Sequence, residues 1–111
     1  MRRANIYYNN DLAGILTETN EGDYIFKYEV DYIKNNPNQF ITFTMPVTEK
    51  SYVKNRLFPF FEGLIPEGWL LDIATKNWKI NPNDRMGLLL ACCSNCIGAV
   101  SVKPYTDKDE E

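Results

Sequence analysis

The chain has 111 residues, of which 44% are hydrophobic and 14% aromatic, so it can form one domain with its own core and is too apolar to be disordered. The net charge of −3, with 12 basic and 15 acidic residues, argues against nonspecific nucleic-acid binding, because neutralising phosphates requires clustered Lys and Arg. No apolar run reaches the ~18 residues of a membrane span, and no signal-peptide stretch opens the chain. We therefore expect a cytoplasmic protein without direct nucleic-acid or membrane partners.

The first half of the chain has the pattern of an antiparallel meander. Turns rich in Asn, Asp and Gly separate three β-prone runs, at residues 6–8, 12–16 and 24–29. Aromatic side chains occupy every second position of the third run, which is the period of a half-buried strand. Gly14, inside the second run, predicts a bulge or a close approach of two backbones.

One helical turn and a further strand are predicted next. Residues 30–35 fit a single turn, which the Asn-Pro-Asn sequence at 36–38 ends. The sequence FITFTM at 40–45 places both threonines on the same side of an extended chain. It therefore predicts a strand, which Pro46 ends or marks as an edge.

Beyond these residues the pattern changes from strands to helices. A short helix is predicted over residues 56–64, with Pro59 in its first turn, and a second helix over about 66–78. In the sequence NPND at 81–84, an N-cap residue, a Pro at the first helical position and an acid in the first turn predict a helix start. A third, nearly all-apolar helix over 86–92 follows.

The last predicted element is a strand over residues 99–102, with Pro104 at its end. Together the patterns predict an α+β fold, in which a small antiparallel sheet of about five short strands packs with three to four helices. We expect this domain to occupy residues 1–105. The acidic residues 106–111 are expected to form a flexible tail.

The residue types of most catalytic and metal sites are missing from the sequence. It contains no histidine, the commonest general base and metal ligand. It also contains no glycine-rich phosphate-binding motif, no nucleophile-elbow motif and no patterned pair of carboxylates. We therefore predict that the chain is not an enzyme and has no catalytic residue, metal site or cofactor.

The cysteines Cys92, Cys93 and Cys96 require separate consideration. Cys93 and Cys96 form a C-x-x-C pair, but three thiols without an imidazole cannot close a four-ligand zinc site within one chain. The pair follows the predicted third helix, whose carboxyl end disfavours a thiolate. Buried reduced thiols are therefore the favoured interpretation; a thiol oxidoreductase site and a metal shared with a partner are the alternatives.

The predicted helix that contains Trp69 is unusually apolar. At 100° per residue its apolar positions span about 200°, whereas a helix docked on one core needs a stripe only a little wider than 100°. Leu70, Ala74 and Trp78 fall on the expected core side, which leaves Trp69 beside Lys76 at the polar border. Trp69 then either covers the rim of the core or anchors a partner, as tryptophans often do in interface hot spots.

Two motifs and the opening of the chain resemble a known family. FFEGLIPEG at 60–68, followed by a helix, and NCIGA at 95–99, followed by a strand, resemble the amino-terminal subdomain of HipA-type serine/threonine kinases, the toxins of bacterial toxin–antitoxin modules. The opening strand, NNDLAGIL and YIFKYEV are similar to the start of that subdomain. The sequence departs from the family pattern at Glu62 and Gly63, and at Cys93 and Ser94, where Gly and Arg are usual.

The resemblance implies a function by binding. A chain limited to this subdomain is similar to HipS, the small protein of tripartite HipBST modules, whose kinase core is a separate polypeptide. It implies that the chain binds a HipA-like kinase core and neutralises or regulates it as an antitoxin does, with a DNA-binding HipB-like protein as an optional third component. The alternative is a structural subunit that completes a split kinase without inhibiting it. No catalytic residue of the family transfers to this sequence.

The residues predicted to touch the partner surround the Pro-Glu-Gly sequence that precedes Trp69. A corner at this point would present Trp69 toward the cleft of a kinase. The predicted partner-binding residues are Ile65, Pro66, Glu67, Gly68, Trp69, Asp72 and Ile73.

Overall fold

A five-stranded antiparallel sheet organises the computed structural model, which describes residues 1–65, 72, 75–77, 79–93 and 99–105. The strands lie in the order β4-β3-β2-β1-β5, and all neighbours are antiparallel. This confirms the predicted α+β fold. The strands are β1 (Arg2–Tyr8), β2 (Asp11–Glu18), β3 (Tyr24–Tyr28), β4 (Tyr52–Lys54) and β5 (Val100–Pro104); the helices with defined bounds are α1 (Val30–Asn35), α2 (Pro59–Glu62) and α3 (Arg85–Cys92).

The predicted meander is confirmed, together with its turn chemistry. Asn9, between β1 and β2, has a φ of 57°, and Gly22, between β2 and β3, has a φ of 91°. Both angles lie in the left-handed region that Asn and Gly adopt most readily. The residue types of these two turns therefore set where the first three strands end.

Gly14 combines both features that the sequence suggested. The pairing of β1 with β2 shifts after Ile6, which pairs with Gly14, because Tyr7 pairs with Leu12 and one residue of β2 is left over as a bulge. A Cβ atom on Gly14 would lie 2.5 Å from the carbonyl oxygen of Lys27 and 2.7 Å from the ring of Phe26. Glycine is therefore required here by the close approach of β3.

The core lies on one face of the sheet, where the helices pack. Tyr28 stacks on Tyr32 of α1, and Phe26 contacts Phe61 of α2, with ring centroids 6.0 and 5.9 Å apart respectively. Burial of this apolar surface is the main stabilising contribution. The most buried members are Ala4, Ile6, Leu16, Phe26, Tyr28 and Val102 from the sheet, and Phe61, Met86, Leu88 and Leu89 from the helices.

The predicted strand at 40–45 is wrong, and the fourth strand lies at Tyr52–Lys54. Residues 41–45 form bends and a turn, in which the Met45 amide donates to the Thr42 carbonyl. Ile41 and Met45 are buried, whereas Phe43 between them is 86% exposed. The period of two in the sequence does not set burial here, because the loop is folded around one buried group, the Tyr28 hydroxyl, which bonds the backbone of both buried residues.

The helices lie where the sequence predicts them, but the bounds of α2 and α3 differ from the predicted ones. Helix α2 begins at Pro59, which occupies its first turn as predicted, and it is shorter than the predicted 56–64. The cap of α3 is Asp84, whose Oδ1 accepts the Gly87 amide at 3.1 Å, and not Asn81. The side chain of Asn81 instead accepts the Asn83 amide at 2.8 Å in the preceding turn. Of the helix predicted over 66–78, residues 72 and 75–77 are described, and they are helical.

Strand β5, at the edge of the sheet, carries few groups to which another strand could pair. The outward amide of Val102 donates to the Cys93 carbonyl at 3.0 Å, and Pro104 has no amide hydrogen. The predicted strand at 99–102 is thereby confirmed, with the bounds Val100–Pro104. The tail predicted at 106–111 lies outside the described residues, and none of the described helices is long and apolar enough to cross a membrane.

Arg2 joins the first strand to the second strand and to the cap of α3. Its Nε lies 2.7 Å from Glu18 Oε1, and its two terminal nitrogens lie 3.0 and 2.6 Å from the Asp84 carboxylate. The hydrogen bonds from Arg2 lower the pKa of both Glu18 and Asp84. These three charge-assisted bonds fix the start of α3 over the end of the sheet.

We expect the free energy of unfolding to fall as the pH drops below about 4, the ordinary range of carboxyl pKa values. A carboxyl with a lowered pKa stabilises the fold above its unfolded pKa, and the stabilisation is lost as the pH falls through its folded pKa. Urea unfolding at a series of acidic pH values measures this slope. Arg2→Ala should make the slope shallower, whereas Arg3→Ala, the matched exposed neighbour, should leave it unchanged; equal slopes would contradict the assignment to Arg2.

Candidate partner-binding site

The candidate site is the segment of residues 65–73, called here the corner segment. It leaves the carboxyl end of α2, where the Leu64 and Ile65 amides donate to the carbonyls of Phe61 and Glu62 at 3.0 and 3.2 Å. These bonds continue the last turn beyond Gly63 and satisfy carbonyls that the end of a helix would leave unpaired. The start of the corner segment is therefore defined by regular backbone bonds.

Phe61 fixes the base of the corner segment in the core. It is fully buried, and its ring lies 5.3 to 6.1 Å from the rings of Phe26, Phe58 and Phe60 in tilted or edge-to-face arrangements. Aromatic pairs in such geometries contribute about 0.5–1.5 kcal/mol each beyond the area that they bury. The FF pair of the motif thus serves packing and determines where the following residues lie.

A salt bridge connects this base to α3. The guanidinium of Arg85 lies 2.7 Å from Glu62 Oε1 through Nη2 and 3.1 Å through Nε, and it also donates to the Pro82 carbonyl at 2.9 Å. Both side chains are about one-third exposed, so the pair stabilises the fold by at most ~1 kcal/mol. Its main effect is geometric, because a forked bond holds α2 in one orientation to α3.

A second contact joins the other end of α3 to the same base. The Sγ atom of Cys93, which is fully buried, lies 3.3 Å from the Leu64 carbonyl oxygen. Cys93 also follows the last residue of α3, Cys92, as the sequence indicated. Burial and the carboxyl end of a helix both disfavour a reactive thiolate, so the geometry supports a structural thiol over a redox site. Cys96 lies outside the described residues.

The structure describes two of the seven residues predicted to touch a partner. Ile65 is 3% exposed and belongs to the core, so its side chain does not face a partner. Asp72 is exposed, and its carbonyl accepts the Thr75 hydroxyl at 3.0 Å in a helical stretch. The other predicted residues, Pro66, Glu67, Gly68, Trp69 and Ile73, lie outside the described residues, and their role stays a prediction.

Sequence reasoning did not find the contacts that hold the corner segment. Arg85 and Glu62 are 23 positions apart, and neither belongs to a local helix pattern that would pair them. The only signal was that Glu62 lies in the FFEGLIPEG motif, which did not indicate its partner. Within the described ranges, no three His, Cys, Asp or Glu side chains gather where a metal ion would bind.

The sequence model of the HipA N-terminal domain family matches residues 4–103. This match covers most of the chain. The chain belongs to the HipA N-terminal domain family. The resemblance inferred from the two motifs is thereby confirmed, and the base of the corner segment, with its FF pair and Glu62, lies within the matched region.

One relative and one solved structure are similar to this chain over most of its length. The chain is 28% identical over 103 residues to an uncharacterized protein of Haemophilus influenzae, an alignment that covers 93% of this chain and 92% of the relative. The two chains therefore align over most of their lengths. A solved structure described as the N-terminal domain of HipA toxin superposes with a TM-score of 0.69 at 23% identity, covering 97% and 96% of the two chains. This likeness shows the same fold.

Proposed function

We propose that this HipA N-terminal domain binds a HipA-like serine/threonine kinase core on a separate polypeptide and restrains it, as an antitoxin does. The observation that carries the proposal is the match of residues 4–103 to the HipA N-terminal domain family, together with the shared fold of the N-terminal domain of HipA toxin. A domain of this kind has no histidine and no phosphate-binding motif, so its effect on a kinase would come from contact alone.

The way in which the corner segment is held supports its use as the contact. Phe61, the Arg85–Glu62 salt bridge and the Cys93–Leu64 contact fix the residues that precede it to the core and to both ends of α3. Holding the residue from which the segment starts removes part of the conformational entropy that binding would otherwise cost. We infer that Trp69 is the anchor and that Asp72 lies at the polar rim around it.

The test is inhibition of a HipA-like kinase core by the purified chain. We expect wild-type protein to abolish phosphorylation and Trp69→Ala to raise the half-inhibitory concentration about 30-fold, since truncating a hot-spot tryptophan costs at least ~2 kcal/mol. Phe43→Ala is the matched control, because it also removes an aromatic side chain, one that is 86% exposed and far along the chain from the corner segment. Phe43→Ala should inhibit like the wild type.

Two results would contradict this proposal in different ways. If Trp69→Ala inhibits as well as the wild type, the chain acts without the proposed anchor. If the chain forms a complex with the kinase core but phosphorylation stays level or rises, the chain is a structural subunit that completes a split kinase. Size-exclusion chromatography of the mixture distinguishes this second result from a failure to bind.

A further inference from the structure

The face of the sheet opposite the helices, called here the open face, has an unusual composition. Alternate strand residues point to it, because their neighbours point into the core. Its side chains are a mixture of cations, aliphatic groups and small polar groups. The open-face strand positions are Arg3, Asn5 and Tyr7 in β1, Leu12, Ile15 and Thr17 in β2, Ile25 and Lys27 in β3, Val53 in β4, and Ser101 and Lys103 in β5.

The charge of the open face is opposite to that of the chain. Arg3, Lys27 and Lys103 are exposed there, and among the described residues no open-face strand position carries a carboxylate. The whole chain, in contrast, has a net charge of −3. Two of these cations make cation–π contacts. Lys103 Nζ lies 5.3 Å from the ring centre of Tyr7, and the Arg3 guanidinium carbon lies 5.6 Å from the ring centre of Tyr105.

Aliphatic side chains lie between the cations. Ile15 and Ile25 are half-buried, and they line a groove of about 380 Å³ together with Val30, which is 67% exposed. Val53, opposite Ile25 in the sheet, is 61% exposed. Lys27 and Glu29 line the groove as well, so one carboxylate lies beside the cations at the end of β3. Exposed aliphatic side chains rimmed by polar and charged groups are typical of an interaction surface.

The register of the strands fixes the spacing of the cations. Lys103, Asn5, Ile15 and Lys27 are successive partners across β5, β1, β2 and β3, so they form one row. Strands lie about 4.8 Å apart, which separates Lys103 from Lys27 by three spacings, about 14 Å. An extended peptide advances about 3.3 Å per residue, so its residues i and i+4 span nearly the same distance.

We infer that the open face binds an extended acidic segment of a protein partner, with two carboxylates four residues apart and an aliphatic residue midway between them. The carboxylates would meet Lys27 and Lys103, and the aliphatic side chain, about 7 Å from each lysine, would lie between Asn5 and Ile15. A second copy of this chain does not fit, because three cations would face three cations. Nucleic acid fits less well, because its backbone requires cations that are clustered and not separated by aliphatic groups.

The experiment is an NMR titration of the full chain at low ionic strength with the capped peptide SESVSES. We expect amide shifts at Ile15, Lys27 and Lys103, and weaker binding as salt is added. The double variant Lys27→Glu, Lys103→Glu should lose about tenfold in affinity, since each charge pair at a solvent-exposed interface contributes modestly. The double variant Lys34→Glu, Lys79→Glu changes the net charge equally at exposed positions off the sheet and should bind like the wild type.

Further measurements can contradict this inference. The isomeric peptide SEESVSS, with adjacent carboxylates, should bind more weakly; equal affinity would overturn the proposed spacing. Equal losses in the two double variants would overturn the assignment to the open face. If a short DNA duplex binds the same residues more tightly, nucleic acid and not an acidic segment occupies the open face. If the chain self-associates through these residues as its concentration rises, the occupant is a second copy. The milder variant Lys27→Gln, Lys103→Gln should show an intermediate loss and controls for misfolding by charge reversal.

Discussion

Phe61→Ala is expected to lower the free energy of unfolding by about 3–5 kcal/mol, the range measured when a buried Phe is truncated to Ala. Phe61 is fully buried, and its ring contacts those of Phe26, Phe58 and Phe60. The loss is a large part of the ~5–15 kcal/mol that stabilises a typical domain. Urea unfolding followed by tryptophan fluorescence or circular dichroism measures it.

The control for this variant is Phe43→Ala, which removes the same ring from a position that is 86% exposed. It should change the free energy of unfolding by less than about 0.5 kcal/mol. If Phe61→Ala does not fold, Phe61→Leu leaves a smaller cavity and should show the same ranking at a smaller loss. A Phe61→Ala protein as stable as Phe43→Ala would show that the base of the corner segment is not part of the core.

Tyr28→Phe is expected to lower the free energy of unfolding by about 2–4 kcal/mol, although it removes a single oxygen atom. The variant leaves two buried backbone groups without a hydrogen bond, and each such group costs about 1–3 kcal/mol. The Tyr28 hydroxyl donates to the Met45 carbonyl and accepts the Ile41 amide at 3.1 Å, and the side chain is 1% exposed. The loop of residues 41–45 is organised around this hydroxyl. Increased proteolysis or hydrogen exchange in the loop would accompany the loss of stability.

The matched control for Tyr28→Phe is Tyr52→Phe. The Tyr52 hydroxyl donates to the Pro46 carbonyl of the same loop at 2.6 Å, but in an exposed position where water replaces the bond. Tyr52→Phe should therefore cost less than about 1 kcal/mol. If both variants lose the same free energy of unfolding, the buried Tyr28 hydroxyl does not organise the loop of residues 41–45.

An alkaline titration tests the same residue without changing the folded structure at neutral pH. Burial raises the pKa of Tyr28 to about 12, and burial together with the Glu18 carboxylate raises that of Tyr24 to about 12. The folded state therefore holds these protons more tightly than the unfolded state, whose tyrosines ionise near pH 10. The stabilisation is complete below pH 10 and is lost as the pH rises toward 12. Tyr28→Phe should make this decline shallower.

Local chemistry in the sequence determined the first three strands, the places of α1, α2 and α3, and β5. Asn9 and Gly22 adopt positive φ angles that few other residues tolerate, and Pro59 cannot donate a helical bond, so these residues set boundaries without help from distant parts of the chain. The motifs FFEGLIPEG and NCIGA, with the opening of the chain, also sufficed to identify the family, because they depend on residue types in sequence and not on their contacts.

Tertiary contacts decided the rest. A period of two at residues 40–45 suggests a strand, but the buried Tyr28 hydroxyl of β3 bonds the backbone of this segment, and the fourth strand lies at Tyr52–Lys54. The Arg85–Glu62 salt bridge and the row from Lys103 to Lys27 join residues that are distant in sequence. Local patterns report the preferences of neighbouring residues, whereas these features depend on which elements meet, and that is settled only when the sheet and helices pack together.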